Sequence, residues 1–249
     1  MKHLKDVLMI AGPVIGLMMP GQMVFADSGD HLRPLSVLTA EWWQWVSSIP
    51  AIPVTTPSGA MTNTNPGLDT TGDYCMVGQR GPIWFLAGAL YPFPTPPLHL
   101  HPLNALAQSL RTRCFFPVIN IDNFNSPGCG GQIDVNMTAK QLQAVIQPFI
   151  NGIQSASESV TIDGQDVTKT LLRRTLSEPF EVVLPTENPL GCPAGVYSPA
   201  VDGGDYVLLP PLSPGEHTIT FYAESYSKTI GHFFEYVEYD LTVMPVSLK

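Results

Sequence analysis

Residues 205–224 read DYVLLPPLSPGEHTITFYAE, and the way this stretch folds decides the class of the whole chain. Residues 206–209 form a short apolar run that stops at Pro210-Pro211. In Ser213-Pro214-Gly215, proline fixes φ and glycine is free to take φ > 0, as a tight turn needs. The side chains then alternate. His217, Ile219, Phe221 and Ala223 fall on one face, and Thr218, Thr220, Tyr222 and Glu224 on the other. Period two of this kind is the mark of a half-buried strand. The stretch is therefore expected to form a strand, a turn and a second strand, a hairpin within a β protein.

The flanking segments agree with that reading. Residues 233–243 place Phe233, Val237, Tyr239, Leu241 and Val243 on one parity, interrupted by Glu235, which is expected near a rim or beside a partner. Val160 and Ile162 lead into Asp163-Gly164, a strong two-residue turn signal, with a return strand near Val167. Phe180, Val182 and Leu184 alternate up to Pro185. Residues 113–121 (RCFFPVINI) form an apolar strand, and the continuous run at residues 83–86 predicts a central strand buried on both faces. Two helices are expected. One covers about 38–49 with Thr39 as candidate N-cap and Leu38, Trp42, Trp45 and Ile49 on one side, leaving Trp43 off the stripe. The other covers about 138–154, opened by a Thr138/Gln141 capping box, with an apolar stripe of Leu142, Val145, Ile146, Phe149 and Ile153 and a kink or early stop at Pro148. The fold class that follows is mainly β: an antiparallel β-sandwich, immunoglobulin-like or jelly-roll, with an N-terminal Trp-rich helix and one inserted helix.

The first 26 residues stand apart. A short basic start (Lys2, Lys5), an apolar run over residues 7–19 and Val24-Phe25-Ala26 predict a signal peptide cleaved after Ala26, leaving one domain over residues 27–249. The competing reading is an uncleaved anchor; no later segment approaches the ~20 apolar residues of a membrane span. Removing the leader takes away two lysines and one aspartate, so the net charge of −9 becomes one unit more negative. Non-specific attraction to nucleic acid or anionic lipid is thereby disfavoured. Charged residues make up 13% of the chain beside 25 prolines and 21 glycines, but 44% hydrophobic content in alternating runs points to a folded, loop-rich β protein rather than disorder. The four cysteines, Cys75, Cys114, Cys129 and Cys192, suggest two disulfides in an exported chain, with three pairings open. Cys75–Cys114 and Cys129–Cys192 are favoured because each pair brackets a strand-rich segment, and no C-x-x-C spacing supports zinc.

Candidate binding residues are few. Trp42, Trp43 and Trp45 could clamp their helix onto the sandwich, or present an aromatic platform to a sugar or peptide, since an indole offers a large face and one N–H donor. In the polar loop of residues 50–73, Asn63, Asn65, Asp69 and Asp73 could offer oxygens to calcium, although they match no EF-hand register and turn-forming roles explain them more simply. His99 and His101 form an H-x-H pair within a proline-rich loop, a weak metal pattern with no third ligand nearby. Asn136-Met137-Thr138 matches an N-glycosylation triplet by pattern alone.

Taken together, WWQWVSSIP (residues 42–50), NPGLDTTGDYCMVGQRGPIWFLAG (65–88), RCFFPVIN (113–120) and PLSPGEHTITF (211–221) resemble a largely uncharacterised family of exported bacterial proteins. The resemblance is discontinuous over roughly residues 40–245 and implies export and fold class, with no activity, substrate or catalytic residue attached. The PGEHTITF segment is also similar to the penultimate strands of immunoglobulin-like modules.

No G-x-S-x-G elbow, H-E-x-x-H pair, phosphate-cradling loop or G-x-G-x-x-G is present. Two functions are weighed. The first is an exported non-catalytic binding or structural protein with an extracellular or envelope ligand, a glycan or protein, and no cofactor. The second is a secreted hydrolase or lyase on a sandwich, which needs at least two of Asp69, Asp73, His99, His101, His217 and Glu235 to converge in one pocket.

Overall fold

The two strands of residues 205–224 do not pair with each other. In the computed structural model, which describes residues 33–57, 59–88, 90, 112–129, 136–228 and 231–244 together with the backbone of 105–107, they lie in different sheets. The described chain starts with helix α1 (Leu35–Ser48) and a small ribbon of β1 (Pro53–Thr55) and β2 (Met61–Asn63). β3 (Ile83–Phe85), β4 (Ala105–Ala107) and β5 (Arg113–Phe124) precede helix α2 (Ala139–Asn151). Next come β6 (Ser159–Ile162), β7 (Gln165–Asp166), the single turn α3 (Thr168–Leu171), β8 (Leu172–Leu176) and β9 (Phe180–Leu184). Three long strands follow: β10 (Gly195–Leu209), β11 (Gly215–Ser227) and β12 (Gly231–Val243).

Sheet I has the order β3-β5-β10-β8, with β9 also pairing β10, and sheet II the order β4-β12-β11-β6-β7. Most pairings are antiparallel, but β3 runs parallel to β5 and β4 parallel to β12. The protein is thus mainly β and sandwich-like. The expected hairpin becomes a crossing: residues 210–214 carry the chain from sheet I to sheet II. Three prolines in that segment have no N–H to give a ladder, and five residues can span the ~10 Å between stacked sheets. The difference between the two strands fits this placement. β10 is buried on both faces over residues 200–207, whereas β11 buries only alternate residues.

The main core lies between the sheets. Phe116 of β5 stacks on Phe221 of β11 with ring centroids 5.3 Å apart, and Tyr239 of β12 packs against both. Ile219, Phe221, Ala223, Val237, Tyr239 and Leu241 all face inward, as their period-two pattern requires. Helix α2 fills the same core with Leu142, Ile146, Phe149 and Ile150. Its capping box forms as the sequence predicts, with Thr138 Oγ1 accepting from Gln141 N–H and Gln141 Oε1 accepting from Thr138 N–H. Val145 points outward at 49% exposure, Ile150 takes its place in the stripe, and the helix runs on past Pro148 only to Asn151. Where α2 meets β10, Gly203 has no side chain because a Cβ there would lie 2.4 Å from Ile150 Cδ1.

The outer face of sheet I is covered by α1. This helix begins at Leu35 behind Pro34, so Thr39 is not its N-cap; Thr39 lies inside the helix and donates to Ser36 O. Trp43 is not off the stripe but buried with Trp42, Trp45, Phe115 and Tyr206 in a second core. The run at residues 83–86 is not a central strand: β3 is three residues long and sits at the edge of sheet I. Its backbone is held to the body by the Gln79 side chain, which accepts from Phe85 N–H and donates to Phe85 O. The Asp163-Gly164 turn has φ of 52° and 76°, both in the left-handed region that such a two-residue hairpin needs, and the return strand is β7.

One of the two favoured disulfides forms. Cys129 is bonded to Cys192, joining the loop after β5 to the loop before β10 beside Phe124, Leu184 and Tyr197. Cys75 and Cys114 are buried thiols instead, which corrects the expected second bridge. Burial pushes both thiols up to about 12, so at neutral pH they are protonated and poor nucleophiles. Reducing the 129–192 bridge, whose cysteines are 63 residues apart, is expected to lower stability by about 2–4 kcal/mol. Urea unfolding with and without reductant measures this. Thiol titration of the unreduced protein should count two thiols, accessible only after unfolding.

Candidate functional site

The tryptophans serve the interior. Trp42, Trp43 and Trp45 are only 1%, 5% and 8% exposed, so none offers a ring face to a ligand. Each indole N–H is satisfied inside: Trp42 by Leu86 O at 2.8 Å, Trp43 by Asp202 Oδ1 at 2.7 Å and Trp45 by Val77 O at 2.9 Å. The platform reading of this helix is thereby replaced by the clamp reading.

Asp69, Asn63 and Asn65 also hold the loop together. Asp69 is buried and accepts from Thr62 Oγ1, Thr71 N and Oγ1, and Tyr74 N, which holds the turn of residues 69–74. Asp73 is exposed in the same turn. Asn65 donates to Val46 O and Ile49 O, so it satisfies carbonyls at the C-terminal end of α1, and Asn63 Oδ1 accepts from Asn65 N. Among the described residues no three His, Cys, Asp or Glu side chains are grouped to hold a metal. His99 and His101 lie outside the described residues. His217 links β11 to the β6–β7 turn through Asp163, its Nδ1 lying 2.8 Å from Oδ2. Glu235 is half-buried beside Gly88, where a Cβ would lie 1.9 Å from Oε1. Asp69 and Asp73 thus share one loop turn, His217 stands near the start of β11, and Glu235 lies on the inward parity of β12 opposite Ala223.

Sequence reasoning missed two carboxyl pairs. On the α1 side of sheet I, Asp202 of β10 lies directly across from Asp122 of β5. Asp202 accepts from Trp43 Nε1, Tyr206 Oη and, at 3.5 Å, Asn120 Nδ2, while its backbone N–H donates to Ser177 Oγ. Asp122 Oδ2 is enclosed without a hydrogen-bond partner among the described residues. Burial raises both carboxyls to about 7; Asp122 is raised further by repulsion from Asp202, whereas the donors around Asp202 act against its rise. On the opposite face, Asp205 takes a bidentate contact from Arg174, with Nη2 at 2.6 Å and Nε at 3.0 Å. Glu158 is raised to about 8, first by burial and then by sharing a hydrogen bond with Asp205. These pairs can hold protons at neutral pH, but α1 and the core close over Asp202 and Asp205, so they tie elements together rather than meet a substrate.

The one broad surface that collects recognition chemistry is the outer face of β11 and β12. Alternation brings Tyr226 opposite His232, Glu224 opposite Phe234, Tyr222 opposite Tyr236 and Thr220 opposite Glu238. Tyr226 and His232 stack with centroids 4.1 Å apart and planes within 3°, and His232 continues to Phe234 at 5.6 Å. Glu224 Oε2 receives Tyr222 Oη at 3.3 Å, Tyr226 Oη at 3.1 Å and His232 Nε2 at 2.9 Å. Donation from Ser157 and then His232 holds the Glu224 carboxyl below the usual range. No described helix or strand packs over this face. The signal was present in the sequence as aromatic and acidic residues on the outward parity of both strands, where threonine or lysine is the ordinary filler.

Comparison with protein-family models, curated proteins and solved structures finds no match for this chain.

The buried carboxyls set a pH dependence. Asp122, Asp202 and Glu158 keep protons when folded at pH values where an unfolded carboxyl, titrating near 4, has lost them. The folded state thus binds more protons, and stability falls as pH rises from about 4 to about 8. Glu224 and Asp166 are shifted the other way and act only at more acid pH. The unfolding free energy obtained from urea curves should be higher at pH 5 than at pH 8, by an amount on the order of a few kcal/mol. Asp122→Asn, which gives Asp202 a neighbouring amide in place of a second charge, should raise stability at pH 8 and flatten the profile; an unchanged slope would remove the pair as its source.

Proposed function

We propose that this is an exported, non-catalytic binding or structural protein that recognises a glycan or protein partner through aromatic side chains, using the outer face of sheet II. The observation that carries the reading is the outward Tyr222, Tyr226, His232 and Phe234 group organised around the Glu224 carboxylate, with Tyr226 51% exposed. Aromatic rings bring a large contact area for little loss of side-chain freedom, and a carboxylate oriented among them adds directional polar contact. Support for export comes from the leader-like first 26 residues, the resemblance to exported bacterial proteins, and the disulfide, which suits an oxidising compartment. No helix among the described residues is long and apolar enough to cross a membrane. The charge balance speaks against nucleic acid as the partner.

The test is binding of the purified protein to arrayed glycans, polysaccharides and envelope proteins, compared with a Tyr222→Ala/Tyr226→Ala variant. Loss of binding by at least about tenfold is expected, as for aromatic anchors in other interfaces. Trp42→Ala should behave differently, lowering stability by about 3–5 kcal/mol through an internal void. Binding untouched by the tyrosine changes would remove this face from consideration.

A further inference from the structure

We propose that the occupant of this face is a cationic protein segment, rich in arginine or lysine, lying extended along β11 and β12. The inference rests on the reading that the face binds, and it names the partner's chemistry. Glu216, Glu224, Glu238 and Asp240 all project from the outward parity of the two strands. Asp166 of β7 shares the same face through its pairing with Thr161, with Lys169 as its neighbour.

The carboxylates are oriented by side-chain donors, and of the four Glu224 also has an ion-pair contact with a histidine, His232. Thr242 Oγ1 donates to Glu216, Thr218 Oγ1 to Asp240 and Tyr236 Oη to Glu238, while Glu224 is served by two tyrosine hydroxyls and His232. Hydroxyl donors fix geometry and leave the negative charge in place. Among the described residues neither lysine nor arginine forms an ion pair with any of these four; the arginine pairs are at Glu41 and Asp205. The rings between the carboxylates add a second attraction, because a guanidinium or ammonium is drawn to an aromatic face and arginine also stacks on it. Glu238 and Asp240 share one strand two residues apart, which is about the 6.6–6.8 Å repeat of alternate side chains in an extended peptide.

Charge also rejects the other occupants. A second copy of the chain would set this acidic face against itself, and nucleic acid or an anionic lipid surface would be repelled in the same way. The other large outward sheet face, that of sheet I, is closed by α1, whereas no described element covers this one.

Fluorescence anisotropy of a labelled peptide of alternating arginine and serine, 13 residues long to match β12, tests the inference. A glutamate–serine peptide and a neutral oligosaccharide serve as comparisons, each titrated with the full protein, a Glu224→Gln/Glu238→Gln variant and the Tyr222→Ala/Tyr226→Ala variant. The arginine peptide should bind at about 20 mM salt, weaken roughly tenfold by about 300 mM, and lose about fivefold with the glutamine variant. The glutamate peptide should not bind. Circular dichroism and urea unfolding of each variant confirm that it is folded. An arginine peptide that fails to bind, or binds equally to the glutamine variant, overturns the inference. Oligosaccharide binding lost with the tyrosines but unchanged by the glutamines would overturn it too, while leaving the aromatic face as a binding surface. No binding of any probe, with the arrays also blank, would remove both.

Discussion

Over residues 200–207 β10 is enclosed on both faces, so the polar side chains it carries there must find their partners inside the protein. An unpaired buried carboxylate is costly enough that a fold either pairs it or protonates it. Asp202 and Asp205 lie on opposite faces of this strand and resolve the problem in opposite directions. Asp202 turns to α1, where Trp43 and Tyr206 donate to it, and Asp205 turns to Arg174 and Glu158. Three residues apart, the two acids fall on opposite faces by alternation alone. The bulge in β5, where Ile119 pairs with Asp205 and Pro117 with Tyr206, leaving Val118 between them, changes the parity of β5 instead, so that Asn120 and Phe115 both face α1 while Phe116 faces the core between the sheets. Helix α1 and the β8 strand are thereby fastened to the same strand through its two acids, and the three-layer arrangement of helix, sheet and sheet follows from it.

This arrangement separates the two aromatic groups of the protein by role. The tryptophans are used where a large apolar ring with one donor suits an interior, against Leu86, Val77 and Asp202. The tyrosines of β11 sit where a hydroxyl can organise a carboxylate at the surface. Tyr239 and Tyr206 show the limit of this division, being buried in the two cores, and burial drives both hydroxyls well above their ordinary range.

Much of the fold was legible because it rests on local periodicity. Strict alternation located β11 and β12, the left-handed Asp163-Gly164 pair located its hairpin, and the Thr138/Gln141 reciprocity located α2. What escaped was long-range. The stretch of residues 205–224 looks like one hairpin because its strands are adjacent in sequence; the continuous burial of one and the alternation of the other were the signs that they belong to different layers. The run at residues 83–86 is apolar because it abuts α1 and Phe115, not because it lies in mid-sheet. Asp122 and Asp202 stand 80 residues apart in sequence, and only the register of β5 against β10 brings them opposite each other. The tryptophan helix was read correctly as an element, but its donors' targets could not be seen without the sheet beneath it.

The crossing at residues 210–214 has a consequence for how the molecule comes together. β5 waits for β10, and β11, which has only the short β6 on its other side, waits for β12. Neither layer can close until most of the polypeptide has been made, and high separation between contacting segments slows the search. The partly finished chain therefore presents open strand edges for longer than a helical protein of its size would, which makes protection from aggregation before the last strands are added a physical requirement of this topology.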